Sequence, residues 1–459
     1  KMMRSQPVVV GTTLFITPVD TRQLYAFDVS EKPCLKWVYE TDFPLRSSLT
    51  YGVLPQSNRP VLVFGDSIAR VHMVDAASGE KLWVSDLKRF SQSTVTGTPQ
   101  LVDGQVYASV SQFEIMVAAD DDYQCCKSSG AVARLDGETG EVVWYTKMLP
   151  DAKPQRDRGD GKMIWGPSGA PVWTSPAIDL KRSLLYVGTG ESTSEPAHKN
   201  TDAIVAIDLE DGAIRWAFQA TEQDIFLSGC RNNASLNCPP DYSVKRDVDF
   251  GASVVIAQRS DGSDVLLAGQ KSSSVWALDP DKEGAVVWHW NRGDGTPLGG
   301  VHWGLAYDGK RVFVPLNDPG TAQPGYTPHP GLYALDVDSG KLLWEQSARA
   351  DCEGRQQRAP SCMYYFGFSA APLVIGDTVA QGSLDGKLQV FDTASGKLLY
   401  SFDTLRDFDT VNGVPGQGGA IDNASIVAAN GMLYLSSGYG MFGQTAGNVL
   451  LAFKPVIKK

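Results

Sequence analysis

The chain has 459 residues, of which 42% are hydrophobic, and a formal net charge of −11. That length is enough for two or three ordinary domains or for one large repeat architecture. No run of about 18 apolar residues indicates a membrane span, and the acidic balance without a basic cluster argues against nucleic acids and anionic membrane surfaces as partners. The 46 glycines and 11 tryptophans, with no long helical pattern, favour an all-β protein with many tight turns.

The cysteines indicate an oxidising compartment. Cys230 with Cys238 and Cys352 with Cys362 each bracket a short polar loop, a spacing typical of disulfides, so we expect a periplasmic protein. Cys125 and Cys126 are adjacent, and Cys34 is left over. The alternative, metal-bound thiolates, would need CxxC spacing and nearby histidines, and neither these nor a CxxCH haem motif occurs. The chain begins almost inside a strand-like segment without a signal peptide, so we expect a mature or trimmed chain.

A sequence pattern recurs seven times: an apolar strand, an aspartate, a turn containing glycine, and an aromatic residue. The aspartates and aromatics are Asp28 and Trp37, Asp75 and Trp83, Asp136 and Trp144, Asp208 and Trp216, Asp279 and Trp288, Asp336 and Trp344, and Asp392 and Tyr400. The aspartates lie 47 to 72 residues apart, a period that indicates a β-propeller rather than a helical solenoid. Each copy predicts two strands of a four-stranded blade joined by an Asp-x-x-x-Gly turn, with the aromatic packed between neighbouring blades.

The seven copies and a final strand from Asn448 to Phe453 predict an eight-bladed propeller. We expect the first blade to be completed around the ring, so that no sheet edge is left open. No linker interrupts the series, so we expect one domain over residues 1–459 without a cytochrome c domain. Long insertions that share one face would form the mouth of a site on the propeller axis. The insertions are Val117 to Gly130, Lys147 to Gly169, Ser192 to Thr201, Leu227 to Arg246 and Ala348 to Tyr365.

Repeats of the type AxDxxxGxxxW in an eight-bladed ring resemble those of the pyrroloquinoline quinone (PQQ) dehydrogenases, over essentially the whole chain. Within that superfamily, the chain is most similar to the polyvinyl alcohol dehydrogenase group. This resemblance rests on YQCCKSSGAVARLDGETGEVVW, GPSGAPVWTSPAID, DVDFGAS, VLLAGQKSSSVWALDPD, LGGVHWGLAYDG and SGYGMFGQTAGNVLLAF. The tryptophan repeat alone is not specific, because the outer-membrane assembly lipoprotein with the same repeat has no cofactor.

The segment from Gly166 to Thr193 predicts two adjacent strands, with Trp173 at the entry of one and Glu191 just past the other. PQQ is a flat ortho-quinone with three carboxylates, so its site needs aromatic rings, cations, hydroxyls and a hard metal ion. The resemblance implies that Trp173 is the ring beneath PQQ; the ordinary alternative is packing between blades. It also implies that Glu114 and Glu191 are side-chain ligands of calcium. Glu191 departs from the usual asparagine but keeps an oxygen donor, and the alternative for both is a solvated turn carboxylate.

The resemblance places the general base at Asp249, which would take the proton of the alcohol while a hydride passes to the quinone. Partial burial between Val248 and Phe250 should raise its pKa. The alternative is an aspartate that caps a turn at a strand edge, in which case Asp224 or Asp247 would be the base.

Further cofactor contacts follow from the same resemblance. Lys271 would contact the quinone oxygens and stabilise the negative charge of reduction, and Arg46 would bind a PQQ carboxylate through both guanidinium nitrogens. The remaining predicted contacts are Thr96, Ser111 and Asn317. For each of these residues a surface or turn role is the alternative.

Some positions depart from the family pattern. In the alcohol dehydrogenases a vicinal disulfide covers PQQ, but here Cys125 and Cys126 lie on the blade of Glu114, so we expect them at the mouth of the site. Phe368 and Phe442 replace tryptophans near the cofactor, and we count Phe368, Cys125 and Cys126 among the predicted cofactor contacts. His302, beside Trp303, is either a substrate contact or a packed loop histidine.

The resemblance implies oxidation of a secondary or bulky, even polymeric, alcohol to a carbonyl, with PQQ and calcium as cofactors and a cytochrome c as electron acceptor. Two other functions compete with it: a periplasmic propeller scaffold that lost its cofactor, and a sensor that binds PQQ without turnover. The combination of Glu114, Trp173, Glu191, Asp249 and Lys271 argues against a scaffold, which has no need for oxygen ligands and a cation at these positions.

Overall fold

The computed structural model describes residues 2–30, 32–230, 235–240, 246–318 and 327–455. Eight antiparallel sheets follow one another along the chain, and we number them as blades 1 to 8 of a β-propeller. Within the described residues, blades 1 to 7 have four strands in their main path and blade 8 has three. The all-β, eight-bladed propeller predicted from the repeat is confirmed.

Each blade pairs its strands in the order in which they occur along the chain. The strands of blades 1 to 4 are Val8–Val10, Thr13–Ile16, Gln23–Asp28 and Cys34–Glu40; Thr50–Val53, Pro60–Gly65, Arg70–Asp75 and Lys81–Asp86; Gln100–Val102, Gln105–Gln112, Ala131–Asp136 and Val142–Lys147; Ala177–Asp179, Leu184–Gly188, Ala203–Asp208 and Ile214–Gln219. Those of blades 5 to 8 are Val255–Gln258, Asp264–Gln270, Ser274–Asp279 and Ala285–Asn291; Ala306–Tyr307, Arg311–Leu316, Gly331–Asp336 and Leu342–Ser347; Leu373–Ile375, Thr378–Gly382, Lys387–Asp392 and Leu398–Asp403; Ile426–Ala429, Met432–Ser437 and Val449–Phe453.

Short elements lie outside the blades. The strand pairs are Ser93–Thr94 with the second strand of blade 3, Lys153–Asp157 with Met163–Gly166, Ser168–Gly169 with Ser192–Ser194, and Asp407–Phe408 with Gly416–Gln417. Helical segments within the described residues include an α-helical turn, Glu114–Val117, and the 3₁₀ turns Val19–Thr21 and Pro280–Lys282. In the part of the chain that the structure describes, no helix has the length and apolarity needed to cross a membrane.

Each repeat aspartate ends the third strand of its blade and shapes the turn that follows. The side chain of Asp75 accepts a hydrogen bond from the backbone N–H of Ser78 at 3.0 Å, and Gly79 N–H donates to the Asp75 carbonyl at 2.9 Å. Gly79 has a φ of +75°, a left-handed conformation that glycine adopts without steric cost. Asp136 and Gly140 form the same turn in blade 3. The Asp-x-x-x-Gly hairpin is therefore confirmed.

The repeat tryptophans dock onto the turn of the next blade. Trp83 Nε1 donates to the Gly137 carbonyl at 2.9 Å, and Trp288 Nε1 donates to the Val337 carbonyl at 2.8 Å. A Cβ on Gly140 would lie only 2.6 Å from the ring of Trp83, so glycine lets the ring approach the backbone. The same contact recurs in the pairs Trp37 and Gly79, Trp83 and Gly140, Trp144 and Gly212, Trp216 and Gly284, Trp288 and Gly340, and Trp344 and Gly396. Packing of the aromatic between blades is confirmed.

A separate apolar cluster fills each gap between neighbouring blades, including the gap between blades 8 and 1. There Met3, Leu14 and Ile16 pack against Tyr434, and Met3 N–H donates to the Gly438 carbonyl at 3.3 Å. The expectation that the first blade is completed around the ring is wrong. Within the described residues, blade 1 supplies all four of its strands and blade 8 has three, so side-chain packing and hydrogen bonds from the N-terminal segment close the ring.

The insertions are tied together by cysteines and apolar side chains. Cys230 bonds to Cys238 and Cys352 to Cys362, as predicted; Cys125 bonds to Cys126, and Cys34 is unpaired and exposed. One buried cluster joins three of the insertions and consists of Ala118, Cys125, Cys126, Ile164, Leu227, Cys230 and Cys238. These three insertions therefore share one face of the propeller.

Replacing Gly340 by alanine should destabilise the propeller more than replacing Gly262. Both residues have positive φ, +68° and +84°, so both variants carry a backbone cost of about 1 kcal/mol. A Cβ at Gly340 would lie 2.6 Å from the ring of Trp288, whereas a Cβ at Gly262 would meet no atom within 4 Å. We expect the free energy of unfolding of G340A to fall by a further ~1–3 kcal/mol in urea denaturation. Equal losses in the two variants would contradict the docking contact.

Candidate active site

Residues from six blades line one cavity of about 290 Å³. The predicted site residues in its wall are Arg46, Thr96, Ser111, Trp173, Glu191, Asp249 and Lys271. Ser228 of one insertion, together with Met116 and Phe226 next to insertions, completes the wall. Most of the predicted residues therefore converge on a single site.

The propeller explains why these residues meet. Glu191 and Lys271 follow the second strands of blades 4 and 5, and Trp173 and Asp249 precede the first strands of the same blades. In an antiparallel blade, the end of the second strand lies beside the start of the first. Both kinds of position therefore fall at one face of the ring.

Three carboxylates form the polar centre of the cavity. Ligand oxygens of Glu191, Asp247 and Asp249 all lie within 4.8 Å of one another, and the three side chains are buried. Neither carboxylate oxygen of Glu191 has a hydrogen-bond partner in the described parts of the chain. Buried, unpartnered carboxylate oxygens of this kind fit a hard cation such as Ca²⁺.

Lys271 and Trp173 hold the aspartates of this group in place. Lys271 Nζ forms an ion pair with the Asp247 carboxylate and lies 3.7 Å from Asp249 Oδ2. Trp173 Nε1 donates to Asp249 Oδ2 at 2.7 Å, and the backbone N–H of Glu191 donates to Asp249 Oδ1 at 3.3 Å. Trp173 thus presents its ring to the cavity while its polar edge orients Asp249.

The three carboxylates differ in their affinity for protons. Burial raises the pKa of Glu191 well above 4.5, and the charges of Asp249 and Asp247 add to this shift. Burial likewise raises the pKa of Asp247. Burial alone would also raise the pKa of Asp249, but the charge of Lys271 and hydrogen bonds such as that from Trp173 hold it at about 2. The net pKa of Asp249 is therefore lowered, whereas burial alone had led us to expect a raised pKa.

Two further aspartates lie behind this group. Asp202 is fully buried with neither carboxylate oxygen hydrogen-bonded in the described ranges, and burial raises its pKa well above 3.8. Asp224 accepts hydrogen bonds from the backbone N–H groups of Arg246 at 3.0 Å and Val248 at 3.3 Å. Asp224 therefore shapes the backbone that carries Asp247 and Asp249. Sequence reasoning missed Asp202, whose segment carries no motif.

Arg46 is a second cation in the cavity wall, besides Lys271. Its Nε donates to Thr96 Oγ1 at 3.2 Å, and its guanidinium lies 4.5 Å from the centre of the Phe113 ring. Burial lowers the pKa of Arg46 to about 9, and the nearby charge of Arg4 contributes. Arg4, which sequence reasoning missed, is buried with its guanidinium 4.9 Å from the centre of the Trp303 ring and donates to the Arg46 carbonyl. A buried cation of this kind fits an anionic ligand.

Glu114 does not join the acidic group. It is buried, and its Oε1 accepts hydrogen bonds from Tyr123 Oη at 2.7 Å and Lys127 N–H at 2.8 Å. Its Oε2 accepts from Ser128 N–H at 2.9 Å and from the Ser128 hydroxyl. Glu114 thus anchors the insertion that follows it, and Asp247 and Asp249 accompany Glu191 instead.

Four other predicted contacts lie outside the cavity wall. Cys125 and Cys126 are buried among the insertions, where the Trp165 N–H donates to the Cys125 carbonyl at 2.9 Å. Phe368 packs in the core between blades 6 and 7. Asn317 is buried and donates to the carbonyl of Leu298, which does line the cavity. The structure thus gives the cysteines and Phe368 packing roles and gives Asn317 an indirect role.

Comparison with known proteins identifies the fold and the family of the chain. Residues 2–228 match the family described as "Glucose/ethanol/alcohol dehydrogenase, beta-propeller domain", and residues 271–448 match that of "Outer membrane protein assembly factor BamB". The quinohemoprotein alcohol dehydrogenase from Comamonas testosteroni superposes with a TM-score of 0.69 at 17% identity, over 100% of this chain and 76% of that one. That structural likeness shows the propeller fold.

Sequence relatives define the family. The chain is 34% identical to the polyvinylalcohol dehydrogenase of Pseudomonas sp, and the alignment covers 98% of this chain and 70% of that protein. It is 32% identical, with the same coverage, to the polyvinylalcohol dehydrogenase of Sphingopyxis sp. (strain 113P3). The fold and these relatives place the chain in the quinoprotein class of oxidoreductases. The chain belongs to the family of PQQ-dependent alcohol dehydrogenases and, within it, to the polyvinyl alcohol dehydrogenase group.

The carboxyl group of Glu191 should make the stability of the ion-free protein pH-dependent. Its pKa in the folded protein lies well above the value of 4.5 in the unfolded chain, so above that pH the folded state retains a proton that the unfolded state has lost. This stabilising contribution is complete below the unfolded pKa and is lost as the pH rises through the folded pKa. In chelator, the free energy of unfolding should fall as the pH rises above about 4.5 toward the folded pKa of Glu191, and Glu191→Gln should flatten that fall. Identical pH slopes in denaturant titrations of the two proteins would refute this.

Proposed function

We propose that this protein oxidises an alcohol to a carbonyl at the cavity of Trp173 and Asp249, with PQQ and a calcium ion as cofactors. The observation that supports the proposal most directly is the group of three buried carboxylates beside Lys271 and Trp173. A hard cation and a cation-stabilised acceptor are what quinone-dependent oxidation of an alcohol requires.

Glu191, Asp247 and Asp249 would hold the metal ion. All their donor atoms are carboxylate oxygens, which suit Ca²⁺. The negative charge of the group would also suit a trivalent ion of similar hardness, so both ions belong in the test. Because Glu114 is saturated by hydrogen bonds, we propose that it anchors the insertion Val117 to Gly130 rather than binding the ion.

Trp173, Arg46 and Lys271 would hold PQQ. The indole offers a flat face, and the two cations lie in the same cavity wall as the hydroxyls of Thr96 and Ser111. Among the described residues, the side-chain partners of Arg46 are Thr96, Met441 and the Phe113 ring, with no carboxylate. A buried arginine without a counter-charge suits a carboxylate of the cofactor. When bound, PQQ supplies a two-electron acceptor for the hydride of the alcohol carbon.

Asp249 would take the proton of the alcohol hydroxyl. Its low pKa keeps it ionised at neutral pH, and the hydrogen bond from Trp173 fixes its orientation. Lys271 would stabilise negative charge beside it. Asp247, ion-paired with Lys271, positions that lysine.

The apolar part of the wall would set the substrate class. Phe226, Leu298 and Phe442 line the cavity together with Trp303, so a hydrocarbon group beside the hydroxyl would be buried favourably. A secondary or bulky alcohol, free or in a polymer, fits such a wall. We further propose a periplasmic, single-domain protein that passes its electrons to a cytochrome c, since the three disulfides suit an oxidising compartment.

The increase in Tm on metal binding should show which of Glu191 and Glu114 is a metal ligand. A ligand that binds only the folded protein raises its stability by about 2.7 kcal/mol at 100 times its Kd. We expect added Ca²⁺, and La³⁺ in a parallel series, to raise the Tm of the wild type but not of Glu191→Gln. Glu114→Gln should have a lower Tm in chelator, because it weakens hydrogen bonds, yet should keep the metal-induced rise. Loss of that rise in Glu114→Gln would restore Glu114 as a ligand.

Reconstitution with PQQ and metal tests the activity itself. We expect cofactor absorbance in the purified protein and dye reduction with secondary alcohols. Asp249→Asn should lower kcat by about 10²–10⁴-fold while cofactor absorbance is retained, because Trp173, Arg46 and Lys271 remain. Asp247→Asn is the comparison variant, measured at saturating metal because it removes a proposed metal ligand as well as a partner of Lys271; we expect a smaller loss of kcat because the base remains.

The outcomes of this reconstitution distinguish the three functions. Absence of cofactor absorbance would favour the scaffold and overturn the proposal. Absorbance without dye reduction by any alcohol would favour the sensor. A larger loss of kcat in Asp247→Asn than in Asp249→Asn would transfer the role of base to Asp247.

A further inference from the structure

Met441 lies against the arginine that we place on a carboxylate of the cofactor. Its sulfur accepts a hydrogen bond from Arg46 Nη1 at 3.2 Å and another from Tyr439 Oη at 3.5 Å. In the parts of the chain that the structure describes, no other methionine sulfur accepts a hydrogen bond. A neutral thioether, which is a weak acceptor, thus stands beside a buried cation that has no carboxylate partner.

This contact occupies part of the hydrogen-bonding capacity of Arg46. A guanidinium group has five N–H donors, of which Nε donates to Thr96 and Nη1 donates to the sulfur. At most three N–H groups remain for a ligand in the cavity, whose wall includes Arg46. Because a thioether accepts weakly, a carboxylate can take the Nη1–H group from Met441 with little loss of energy.

The loop that carries Met441 is held in place but reaches solvent. Tyr365 Oη donates to the Phe442 carbonyl at 2.6 Å, and the Phe442 N–H donates to Gln444 Oε1 at 2.9 Å. Met441 is partly exposed, and Phe442, which lines the cavity, is 37% exposed. The side chain of Met441 is therefore open to a small oxidant, while its loop keeps the sulfur beside Arg46.

We propose that Met441 is a modification site, at which hydrogen peroxide converts the thioether to a sulfoxide and thereby weakens the binding of PQQ at Arg46. This inference rests on the proposed function. A lone pair of the sulfur attacks one peroxide oxygen, the O–O bond breaks and an S–O bond forms. The sulfur loses two electrons, and the proton of the attacked oxygen passes to the leaving hydroxide, which departs as water.

The sulfoxide changes what Arg46 can bind. Its oxygen is a polar acceptor, unlike the apolar thioether, and it forms on a sulfur that Arg46 and Tyr439 already approach as donors. A hydrogen bond to a charged donor is among the stronger ones in proteins. The sulfoxide oxygen therefore competes with the cofactor carboxylate for the guanidinium group.

The affinity for PQQ before and after peroxide treatment tests this inference. The Kd is measured from cofactor absorbance in the presence of Ca²⁺, and peptide mass spectrometry follows the oxidation of each methionine. We expect the Kd of the wild type to rise by about tenfold or more once Met441 is oxidised. In Met441→Leu, which has no sulfur there, peroxide should leave the Kd at its untreated value. Each protein is compared with its own untreated sample, so any effect of the substitution itself cancels.

Met116→Leu is the matched control. Met116 lines the same cavity and is 53% exposed, but its sulfur accepts no hydrogen bond from Arg46 in the described parts of the chain. Peroxide should therefore raise the Kd of Met116→Leu as much as that of the wild type. If Met116→Leu were protected and Met441→Leu were not, the modification site would be Met116 and the inference would be wrong.

The remaining outcomes distinguish this inference from the proposed function. Equal rises of the Kd in Met441→Leu and the wild type, or an unchanged Kd in wild type with oxidised Met441, would overturn the inference while PQQ binding stands. So would a peroxide dose that oxidises Met116 and Met363, which are 53% and 63% exposed, but leaves Met441 intact. If the untreated wild type binds no PQQ, the proposed function fails and this inference with it.

Discussion

The docking of each tryptophan on the turn of the next blade is the contact on which the rest of the molecule depends. The site is divided between blades: Trp173 and Glu191 flank strands of blade 4, and Asp249 and Lys271 flank strands of blade 5. Their separations are therefore set by the angle between these blades. That angle is fixed where Trp216 lies against Gly284, over the apolar cluster between the two blades. The hydrogen bond from Trp173 to Asp249 crosses the same interface, so the repeat that builds the ring also aligns the chemistry.

Much of this fold could be predicted from the sequence, because each blade needs the same few residues at one turn and these residues recur in the sequence. An aspartate that caps the turn, a glycine with positive φ and an aromatic that covers the next turn are needed once per blade, as at Asp75, Gly79 and Trp83. Ring closure carries no such signature. Blade 1 begins with Val8–Val10 and Thr13–Ile16, two strands upstream of the first aspartate turn, and nothing in the repeat showed whether these strands or the other end of the chain completed the blade.

The residues of the candidate site also differ in how well the sequence predicts their positions. Residues at strand ends, such as Trp173 and Lys271, could be placed because the blade fixes the direction of those ends. Glu114 and the Cys125–Cys126 pair belong to a segment whose path depends on its own hydrogen bonds, and the structure places them outside the cavity wall that Trp173 and Lys271 line. Arg4 and Asp202 could not be found from sequence, because burial gives them their importance and no local pattern marks it.

The balance of charge in the cavity bears on whether such a site could belong to a scaffold. Glu191, Asp247 and Asp249 lie together with Lys271 as their cationic neighbour, and Asp202 adds a further buried carboxyl group. Two like charges at 4 Å repel by about 4 kcal/mol at an effective dielectric constant of 20. Burial and this repulsion raise the pKa values of Glu191 and Asp247, so the protonated carboxyl groups are favoured. A chain that bound no ion would gain stability by replacing such a group with apolar residues. On the proposed function, a cation would displace those protons, and metal binding and proton release would then be a single linked event.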